Sequence, residues 1–316
     1  MTLCRTFASI MFFCTFAHVS CGHAAGIIVH DARNRDIAVT DVTRTVSIGG
    51  AITEILYALG LENRLVGVDT TSLYPPAALR DKPNVGYMRQ ISAEGVLGLN
   101  PTLILAIQGS GPRETMDILD TAKVPLVLVP ETFSEEGLIG KIKLVGHAMG
   151  VDARAECLSA AVGADLAQLR ALRAKVTKPV RVMFVMSLQN GRAMAAGHKT
   201  AADEIIRLAG AANAVEDYDG YKIIGDEAIV AAKPEFVLSI ERGKDSLQAE
   251  AIYAHPGFAL TPVAANKGFA SMDGLYLLGF GPRTAAAARD LAFKLYPALA
   301  DQGAFTSALS AANCRQ

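Results

Sequence analysis

The chain of 316 residues contains no tryptophan, only five cysteines and no excess of basic residues. Lys and Arg number 30 against 31 Asp and Glu, so the charge balance does not favour phosphate backbones or anionic lipid, and nucleic acid is not an expected partner. Charged residues make up 19% and hydrophobic residues 51% of the chain, which excludes intrinsic disorder. The length predicts two compact units, each with its own core.

The sequence also lacks the common catalytic signatures. It has no Gly-x-x-x-x-Gly-Lys-Ser/Thr loop, no His-Glu-x-x-His, no Gly-x-Ser-x-Gly and no Cys-x-x-Cys. Its histidines are scattered without carboxylates at metal-site spacing, so we expect neither a preformed zinc nor a manganese site. The sequence therefore favours a protein that is not an enzyme. A secreted α/β enzyme whose site is assembled from distant residues is the alternative from another class.

Residues 1–25 have the pattern of a secretory signal peptide. A single basic residue, Arg5, precedes a short apolar run that is too short to span a bilayer and ends in small residues. A lipoprotein anchored at Cys21 is the alternative. Removal of this segment would leave a formal charge of −2 and only two cysteines, Cys157 and Cys314, whose pairing the sequence leaves open. We expect an exported, soluble mature protein.

Short apolar segments alternate with helical segments along the rest of the chain, after a polar leader over residues 26–43. Because these segments are nearly continuous in apolar residues, they predict parallel strands covered on both faces. The predicted strands cover 44–48, 65–68, 103–107, 126–129, 180–186 and 236–240. The main predicted helices cover 51–59, 152–176, 200–208 and 283–296.

The segment that begins at Asp152 continues for about 25 residues without proline, which predicts a rod of roughly 37 Å. This long helix divides the chain into two α/β units. We therefore predict an N-terminal lobe over 44–150, a linker helix over 151–177 and a C-terminal lobe over 178–300. A helical linker is stiff, so the two lobes should move little relative to each other.

An internal similarity links the two predicted lobes. Residues 91–105 align with residues 224–238, and in each segment a glutamate opens a short helix, a proline stands seven positions later and an apolar strand follows. These glutamates are Glu94 and Glu227. An acid near a helix N-terminus is ordinarily explained by the helix dipole, but its recurrence at matching positions suggests a shared role for the pair.

The loop Pro83-Asn84-Val85-Gly86-Tyr87-Met88-Arg89-Gln90 carries the chemistry that stands out. Tyr87 and Arg89 are two residues apart, so in extended backbone their side chains lie on one face. A phenolate is an axial ligand for ferric haem iron, and a guanidinium beside it favours the phenolate. Arginine also forms forked contacts with carboxylates such as haem propionates.

With its surroundings, this loop resembles the periplasmic haem-binding proteins of bacterial haem ABC importers over roughly residues 44–298. The resemblance rests on five blocks that occur in order: Val85-Gly86-Tyr87-Met88-Arg89, Ala93-Glu94-Gly95, Val185-Met186-Ser187, Met194 to Asp203, and Leu277-Leu278-Gly279-Phe280-Gly281. It implies an α/β fold of two Rossmann-like lobes joined by a single long helix, the helical-backbone type of periplasmic binding protein. Haem, as ferric protoporphyrin IX, would be the transported ligand in the cleft between the lobes.

The same resemblance assigns roles to individual residues. Tyr87 would be the axial ligand of the iron, and Arg89 would assist it or contact a propionate. Glu94 and Glu227 would dock on basic residues of an inner-membrane ABC permease that works with its ATPase. A monomer is expected in the periplasm, supplied either with free haem or through an outer-membrane haem receptor.

The second lobe departs from the pattern at one position. Some relatives carry a histidine just after Val-Met-Ser and hold two stacked haems, whereas this chain has Leu188, which predicts one five-coordinate haem. Arg242, after a second-lobe strand, is a candidate contact on the distal side of the cleft. Tyr218 and Tyr221 are candidates for the opposite wall.

Two other cargoes fit the same fold. A ferric siderophore calls for a strongly basic cleft, which the mature charge does not support. Cobalamin is compatible with the charge, but nothing in the sequence replaces the Tyr87 loop. A ferric-siderophore or cobalamin binding protein is thus the alternative function.

Overall fold

The computed structural model describes residues 26–241, 243–302 and 305–316, so the predicted signal peptide and Arg242 lie outside the described residues. The strands are β1 (Ile27–His30), β2 (Asp36–Val39), β3 (Thr45–Ile48), β4 (Leu65–Val68), β5 (Leu103–Ile107), β6 (Leu126–Val129), β7 (Arg181–Gln189), β8 (Arg192–Ala196), β9 (Ala212–Asn213), β10 (Tyr221–Ile224), β11 (Phe236–Glu241) and β12 (Phe269–Asp273).

The helices follow in the same chain order. They are α1 (Gly50–Ala58), α2 (Ala77–Asp81), α3 (Ala93–Leu97), α4 (Arg113–Thr121), α5 (Glu135–Ala148), α6 (Asp152–Arg173), α7 (Ala201–Leu208), α8 (Asp226–Ala232), α9 (Ala249–Tyr253), α10 (Pro256–Ala259), α11 (Pro262–Asn266), α12 (Gly274–Leu278), α13 (Thr284–Leu295) and α14 (Ala308–Ala311). Short 3₁₀ turns cover Glu62–Arg64, Gly243–Asp245 and Pro297–Gln302.

The first lobe is built on a parallel sheet of four strands in the order β4-β3-β5-β6. Its strands are buried on both faces, as the continuous apolar runs predict. In β5, Leu103 and Leu105 join one core cluster, and Ile104 and Ala106 join the cluster on the other face. The prediction of a doubly covered parallel sheet is confirmed for this lobe.

The second lobe has a mixed sheet in the order β10-β8-β7-β11-β12, with β9 beside β7. Strands β7, β11 and β12 run parallel, whereas β8 and β10 are antiparallel to their neighbours, so the prediction of a purely parallel sheet is wrong here. The reason is a tight hairpin. Asn190 and Gly191 join β7 to β8 with φ values of 49° and 74°, the left-handed pair that a type I′ turn requires.

Residues 26–43 are more than a polar leader. β1 and β2 form an antiparallel hairpin, and Val29 and Val39, which are 1% and 2% exposed, join the main core cluster. The turn of the hairpin is held by Asp31, whose buried carboxylate accepts hydrogen bonds from the backbone and guanidinium of Arg35. The hairpin therefore extends the first lobe.

Helix α6 lies between the two sheets in the chain and begins at the predicted residue, Asp152. It ends at Arg173, so its length is about 33 Å at 1.5 Å per residue. Its buried face, which includes Leu158, Val162 and Leu166, belongs to a core cluster that also contains strand residues of both sheets. One continuous core therefore joins the two lobes through the helix.

The C-terminal segment is fastened to this helix. Cys157 of α6 and Cys314 form a disulfide with a Cα–Cα distance of 5.6 Å, which answers the question that the sequence leaves open. Nearby, the buried carboxylate of Asp165 accepts hydrogen bonds from the Ser307 hydroxyl (2.8 Å) and the Ala308 backbone N–H (2.6 Å). The chain end thus packs against the helix that joins the lobes.

We expect the double variant Cys157→Ala/Cys314→Ala to lose about 4 kcal/mol of unfolding free energy, because the disulfide closes a long loop in the unfolded chain. The cysteines are 157 residues apart in sequence. Urea unfolding followed by circular dichroism measures the change, and chemical reduction of the unaltered protein serves as the control. A loss below about 1 kcal/mol, well under the usual range for a native disulfide, would contradict this expectation.

Candidate ligand-binding cleft

The Tyr87 loop is fixed to the first sheet from both sides. On one side, Asn84 forms a parallel bridge with Val68 of β4, and the Val85 N–H donates to the Val68 carbonyl (2.9 Å). On the other side, the Gly111 N–H, after β5, donates to the carbonyl of Met88 (2.9 Å). The loop is therefore held beside the carboxyl ends of two parallel strands.

The backbone of the loop requires a glycine at one position. Gly86 has a φ of +100°, and its N–H donates to the Asn84 side-chain carbonyl (2.8 Å). The segment from Tyr87 to Gln90 then forms a turn closed by a 2.7 Å bond from the Gln90 N–H to the Tyr87 carbonyl. The expectation of extended backbone between Tyr87 and Arg89 is therefore wrong.

The turn nevertheless displays both predicted side chains. Val85 and Ile91 are buried and Met88 is half-buried, and all three pack against the core. Tyr87 is 40% exposed and Arg89 is exposed. Apolar anchors thus hold the loop while a phenol and a guanidinium remain open to a ligand.

The opposite side of the cleft presents a second phenol. Tyr221 of β10 contacts Phe184 edge to face, with ring centroids 6.2 Å apart, and is 40% exposed. Desolvation raises the pKa of Tyr221, while the Arg89 guanidinium and hydrogen bonds from Thr200 and the Ala202 N–H oppose that shift. Arg89 of the first lobe therefore interacts with Tyr221 of the second.

Tyr218, the other candidate for this wall, does not share that position. Its hydroxyl donates to the Ala195 carbonyl (3.1 Å), and its ring packs with a core cluster on the other face of the second sheet from Phe184. The Lys222 ammonium lies 4.7 Å from the ring centroid. The structure therefore places Tyr221, and not Tyr218, near the predicted site.

The two lobes meet where the carboxyl ends of their strands converge. A Cβ on Gly50, which begins α1, would lie 2.2 Å from the Thr71 carbonyl oxygen and 2.7 Å from a Leu275 methyl of α12. Only glycine allows this close approach. The carboxylate of Asp69 fixes the neighbouring loop by accepting hydrogen bonds from the Gly49 N–H (2.9 Å) and the Ser72 hydroxyl (3.0 Å).

A buried ion pair crosses this junction. Glu54 of α1 accepts two hydrogen bonds of 2.9 Å from the Arg283 guanidinium, and Arg283 also stacks on the Tyr74 ring at 3.5 Å from its centroid. Burial disfavours the charged form of Arg283, but its hydrogen bonds to Glu54 and their opposite charges raise its pKa. Tyr74 is 42% exposed, so one aromatic face at the junction remains accessible beside this pair.

A lysine of the first lobe adds a hydrogen bond between the lobes. The Lys141 ammonium, whose side chain is fully buried, donates to Glu131 (2.9 Å) and to the Phe280 carbonyl (3.2 Å). The Phe280 ring contacts the Phe133 ring edge to face at 5.2 Å. A hydrogen bond and an aromatic contact therefore join the two lobes here.

Burial raises the pKa of the Glu131 carboxyl above its ordinary value of 4.5, against the opposing charge and hydrogen bond of Lys141. A carboxyl with a raised folded pKa stabilises the fold fully below its unfolded pKa, and that contribution is lost as the pH rises through the folded value. We therefore expect Glu131→Gln to flatten the fall in unfolding free energy above pH 4.5. Urea unfolding across this range measures it, with the exposed Glu156→Gln as control. An unchanged pH profile would contradict the expectation.

Leu188, the residue that departs from the resemblance, is half-buried and packs against the core cluster that contains Met183 and Val185. Its apolar side chain has no donor atom for iron. Arg242 falls outside the described residues, and its predicted role remains untested.

The two glutamates of the internal similarity occupy matching places. Glu94 lies in the first turn of α3, which leads through Pro101 to β5, and Glu227 lies in the first turn of α8, which leads through Pro234 to β11. Both side chains belong to exposed residues. The repeat is therefore structural, and it places one exposed acid on each lobe.

Sequence reasoning missed most of the lobe junction. Gly279-Phe280-Gly281 was recognised only as part of the resemblance, and Glu54, Lys141 and Tyr74 carry no local signal because their partners lie far away in the chain. Among the described residues, no group of three or more His, Cys, Asp or Glu could hold a metal ion. None of the described helices is both long and apolar enough to cross a membrane.

Two lobes, a linking helix and a cleft with an exposed phenol define a substrate-binding protein. A family model described as periplasmic binding protein matches residues 46–275, and the chain belongs to that family. An uncharacterized ABC transporter substrate-binding lipoprotein of Bacillus subtilis is 26% identical over 275 residues, which are 86% of each chain. A vitamin B12-binding protein of Yersinia pestis is 36% identical, but only over 83 residues, 29% of its length.

Solved structures resemble the chain over most of its length. The periplasmic heme-binding protein BhuT, in complex with two hemes, is 39% identical and has a TM-score of 0.77, with 81% of this chain and 98% of that chain covered. The apo form of RhuT, a periplasmic heme-binding protein of Roseiflexus sp. RS-1, is 38% identical with a TM-score of 0.77 and coverage of 82% and 100%. These matches confirm the predicted two-lobed α/β fold.

Proposed function

We propose that this chain is an extracytoplasmic haem-binding protein that holds ferric haem in the cleft between its lobes and delivers it to an inner-membrane ABC permease. The observation that carries the proposal is the Tyr87 loop, anchored on both sides and displaying an exposed phenol beside an exposed guanidinium at the cleft. The heme-binding relatives, at 39% and 38% identity over nearly their whole lengths, support it.

The Tyr87 phenolate would bind the iron, and polar side chains would contact the propionates at the porphyrin edge. The exposed Arg89 guanidinium would contact a propionate through a forked, charge-assisted pair of hydrogen bonds. Tyr221 and Tyr74 each keep an exposed part of the aromatic ring and would pack against the macrocycle. Small-molecule sites are often mostly apolar clefts between domains with a few polar groups, and a site of this kind suits haem.

We propose a stoichiometry of one haem per chain, bound through Tyr87 alone. Leu188 packs into the core of the second lobe and has no atom that ligates iron. The relative BhuT was solved with two hemes, so the number of haems is a point on which this chain is expected to differ.

Delivery would use the two exposed glutamates. Glu94 and Glu227 lie one on each lobe, so a permease with a basic residue in each of two halves would engage both acids together. The binding protein would act as a monomer, as a transport component and not as an enzyme. Residues 1–25, which the sequence identifies as a signal peptide, would direct it to the periplasm.

Calorimetric titration of the purified mature chain tests the choice of cargo. Ferric haem should saturate at one equivalent, while cobalamin and a ferric siderophore should bind far more weakly. Cobalamin deserves inclusion because the vitamin B12-binding relative shares an 83-residue segment with this chain. Tighter binding of cobalamin or of the siderophore than of haem would overturn the proposal.

A further inference from the structure

We propose that the permease-docking surface has an apolar contact in each lobe, Ile118 in the first and Leu260 in the second, beside the acids Glu94 and Glu227. The proposal rests on the proposed function, because it names further residues of the same docking event. Ile118 is 53% exposed and Leu260 is 76% exposed, and each lies on the segment that packs against the glutamate helix of its lobe.

The two positions are equivalent in the fold. In the first lobe, the order is α3, β5, the crossover helix α4 and then β6. In the second lobe, it is α8, β11, a crossover made of α9, α10 and α11, and then β12. Ile118 lies in α4, and Leu260 follows α10 directly. The internal similarity of the chain thus extends from the glutamate helices to the crossover segments.

In the first lobe, α4 contacts the start of α3 through Thr115. The Thr115 hydroxyl donates to the carbonyl of Ile91 (3.2 Å), one residue before Ser92, which caps α3. Because residues three apart share a face of a helix, Ile118 lies on the side of α4 that Thr115 marks. Met116 and Leu119 face the core instead.

The second lobe repeats this arrangement with different residues. A Cβ on Gly257 of α10 would lie 3.0 Å from the Cα of Asp226, so α10 packs directly against the first residue of α8. Leu260 stands three positions after Gly257, as Ile118 stands three positions after Thr115. In both lobes, the residue that contacts the start of the glutamate helix is followed, three positions later, by a large exposed apolar side chain.

The charges around Ile118 and Leu260 indicate which kind of partner binds these two surfaces. The exposed charged residues on the first surface include Glu94, Glu114 and the ion pair of Arg113 with Asp117, and those on the second include Asp226 and Glu227, so acids outnumber bases on both. A second copy of this chain would bring the same acids together, and an anionic membrane would be repelled as well. The occupant that fits is a protein that presents, twice, a cation next to an apolar pocket. The proposed permease, with a basic residue in each of its two halves, would supply such a pair.

The test uses the full mature chain and the permease with its ATPase, purified and held in lipid nanodiscs. We compare Ile118→Ser, Leu260→Ser and their double variant with Ile28→Ser. Ile28 is the matched control because it is 54% exposed but lies on β1, outside both crossover segments. We expect permease affinity to fall about tenfold in each single variant and about a hundredfold in the double variant, with Ile28→Ser unchanged.

Haem affinity and urea unfolding, measured on the same variants, distinguish a failure of this inference from a failure of the proposed function. Haem affinity and urea unfolding of each serine variant should match the parent, since the replaced side chains are exposed. Permease affinity that stays within twofold in the double variant, while Glu94→Ala/Glu227→Ala abolishes binding, would overturn this inference alone. A parent chain that fails to bind haem would overturn the proposed function. Ultracentrifugation gives the oligomeric state of the parent and of the double serine variant. A parent that is a dimer and a double variant that is a monomer would assign the surface to self-association and overturn the inference.

Discussion

Tyr87→Phe is expected to weaken the binding of ferric haem by at least about a hundredfold. The substitution removes only the phenol oxygen, so the loop, which is held by backbone bonds from Val85 and Gly111, should keep its conformation. Loss of groups that merely support a metal ligand costs 10- to 100-fold in affinity, and loss of the ligand itself should cost at least as much. Titration of the variant with ferric haem, followed in the visible absorption spectrum, measures the effect.

Tyr218→Phe is the matched control. Tyr218 is also a tyrosine, and the sequence makes it a candidate for the opposite wall of the cleft. Its hydroxyl, however, donates to the Ala195 carbonyl on the other face of the second sheet from Phe184. Its haem affinity should match that of the parent. Equal losses in the two variants would show that a phenol at position 87 has no particular role, and the ligand assignment would be wrong.

The double variant Glu94→Ala/Glu227→Ala is expected to abolish haem uptake while it leaves haem affinity within about twofold of the parent. Both acids are exposed, and the proposed docking role places them outside the haem contacts, so their loss should affect the permease and not the cargo. Charge pairs across an interface are worth several kcal/mol when one partner is removed, and two such losses should stop delivery. Uptake into proteoliposomes that contain the permease measures the effect.

Glu156→Ala/Glu216→Ala provides the control for charge. These two glutamates are also exposed, one on α6 and one in the second lobe, and each forms an ordinary surface ion pair, with Lys143 and Arg181. Removing two surface charges there should leave uptake unchanged. If haem affinity falls in the Glu94 and Glu227 variant, the acids serve the site or the fold, and the docking role is wrong.

The first lobe was predictable because its signals are local. Strands β4, β5 and β6 have the predicted residues throughout, since each is an apolar run bounded by turn or polar residues. Buried parallel strands have no polar face, so their sequence marks both their position and their limits. The helix that links the lobes was equally predictable from the sequence, apart from the last three predicted residues, which lie beyond its end at Arg173.

The second lobe was less predictable for a physical reason. Strand β8 consists of Arg192, Met194 and three alanines, and small side chains carry little strand preference. The sequence does mark the turn, because an Asn-Gly dipeptide such as Asn190-Gly191 between two candidate strands is typical of a β-hairpin. With the hairpin recognised, the antiparallel part of the sheet would have followed.

The candidate site likewise has a part that the sequence predicts and a part that it does not. Tyr87 and Arg89 lie within one loop, so the sequence pairs them as candidates for one site, although it predicts extended backbone where the structure has a turn. The contacts of Lys141 with Phe280 and of Glu54 with Arg283 join residues 139 and 229 positions apart, and no spacing rule predicts such pairs. The lobe boundaries and the roles of Tyr87, Arg89, Arg242 and the two glutamates remain predictions.

The central claim is that this chain binds one ferric haem through a phenolate. The most direct measurement is the visible absorption spectrum of the purified mature chain during titration with ferric haem at neutral pH. We expect a high-spin, five-coordinate spectrum with a phenolate-to-iron charge-transfer band that saturates at one equivalent. A low-spin spectrum, saturation at two equivalents, or the spectrum of unbound haem throughout the titration would contradict it.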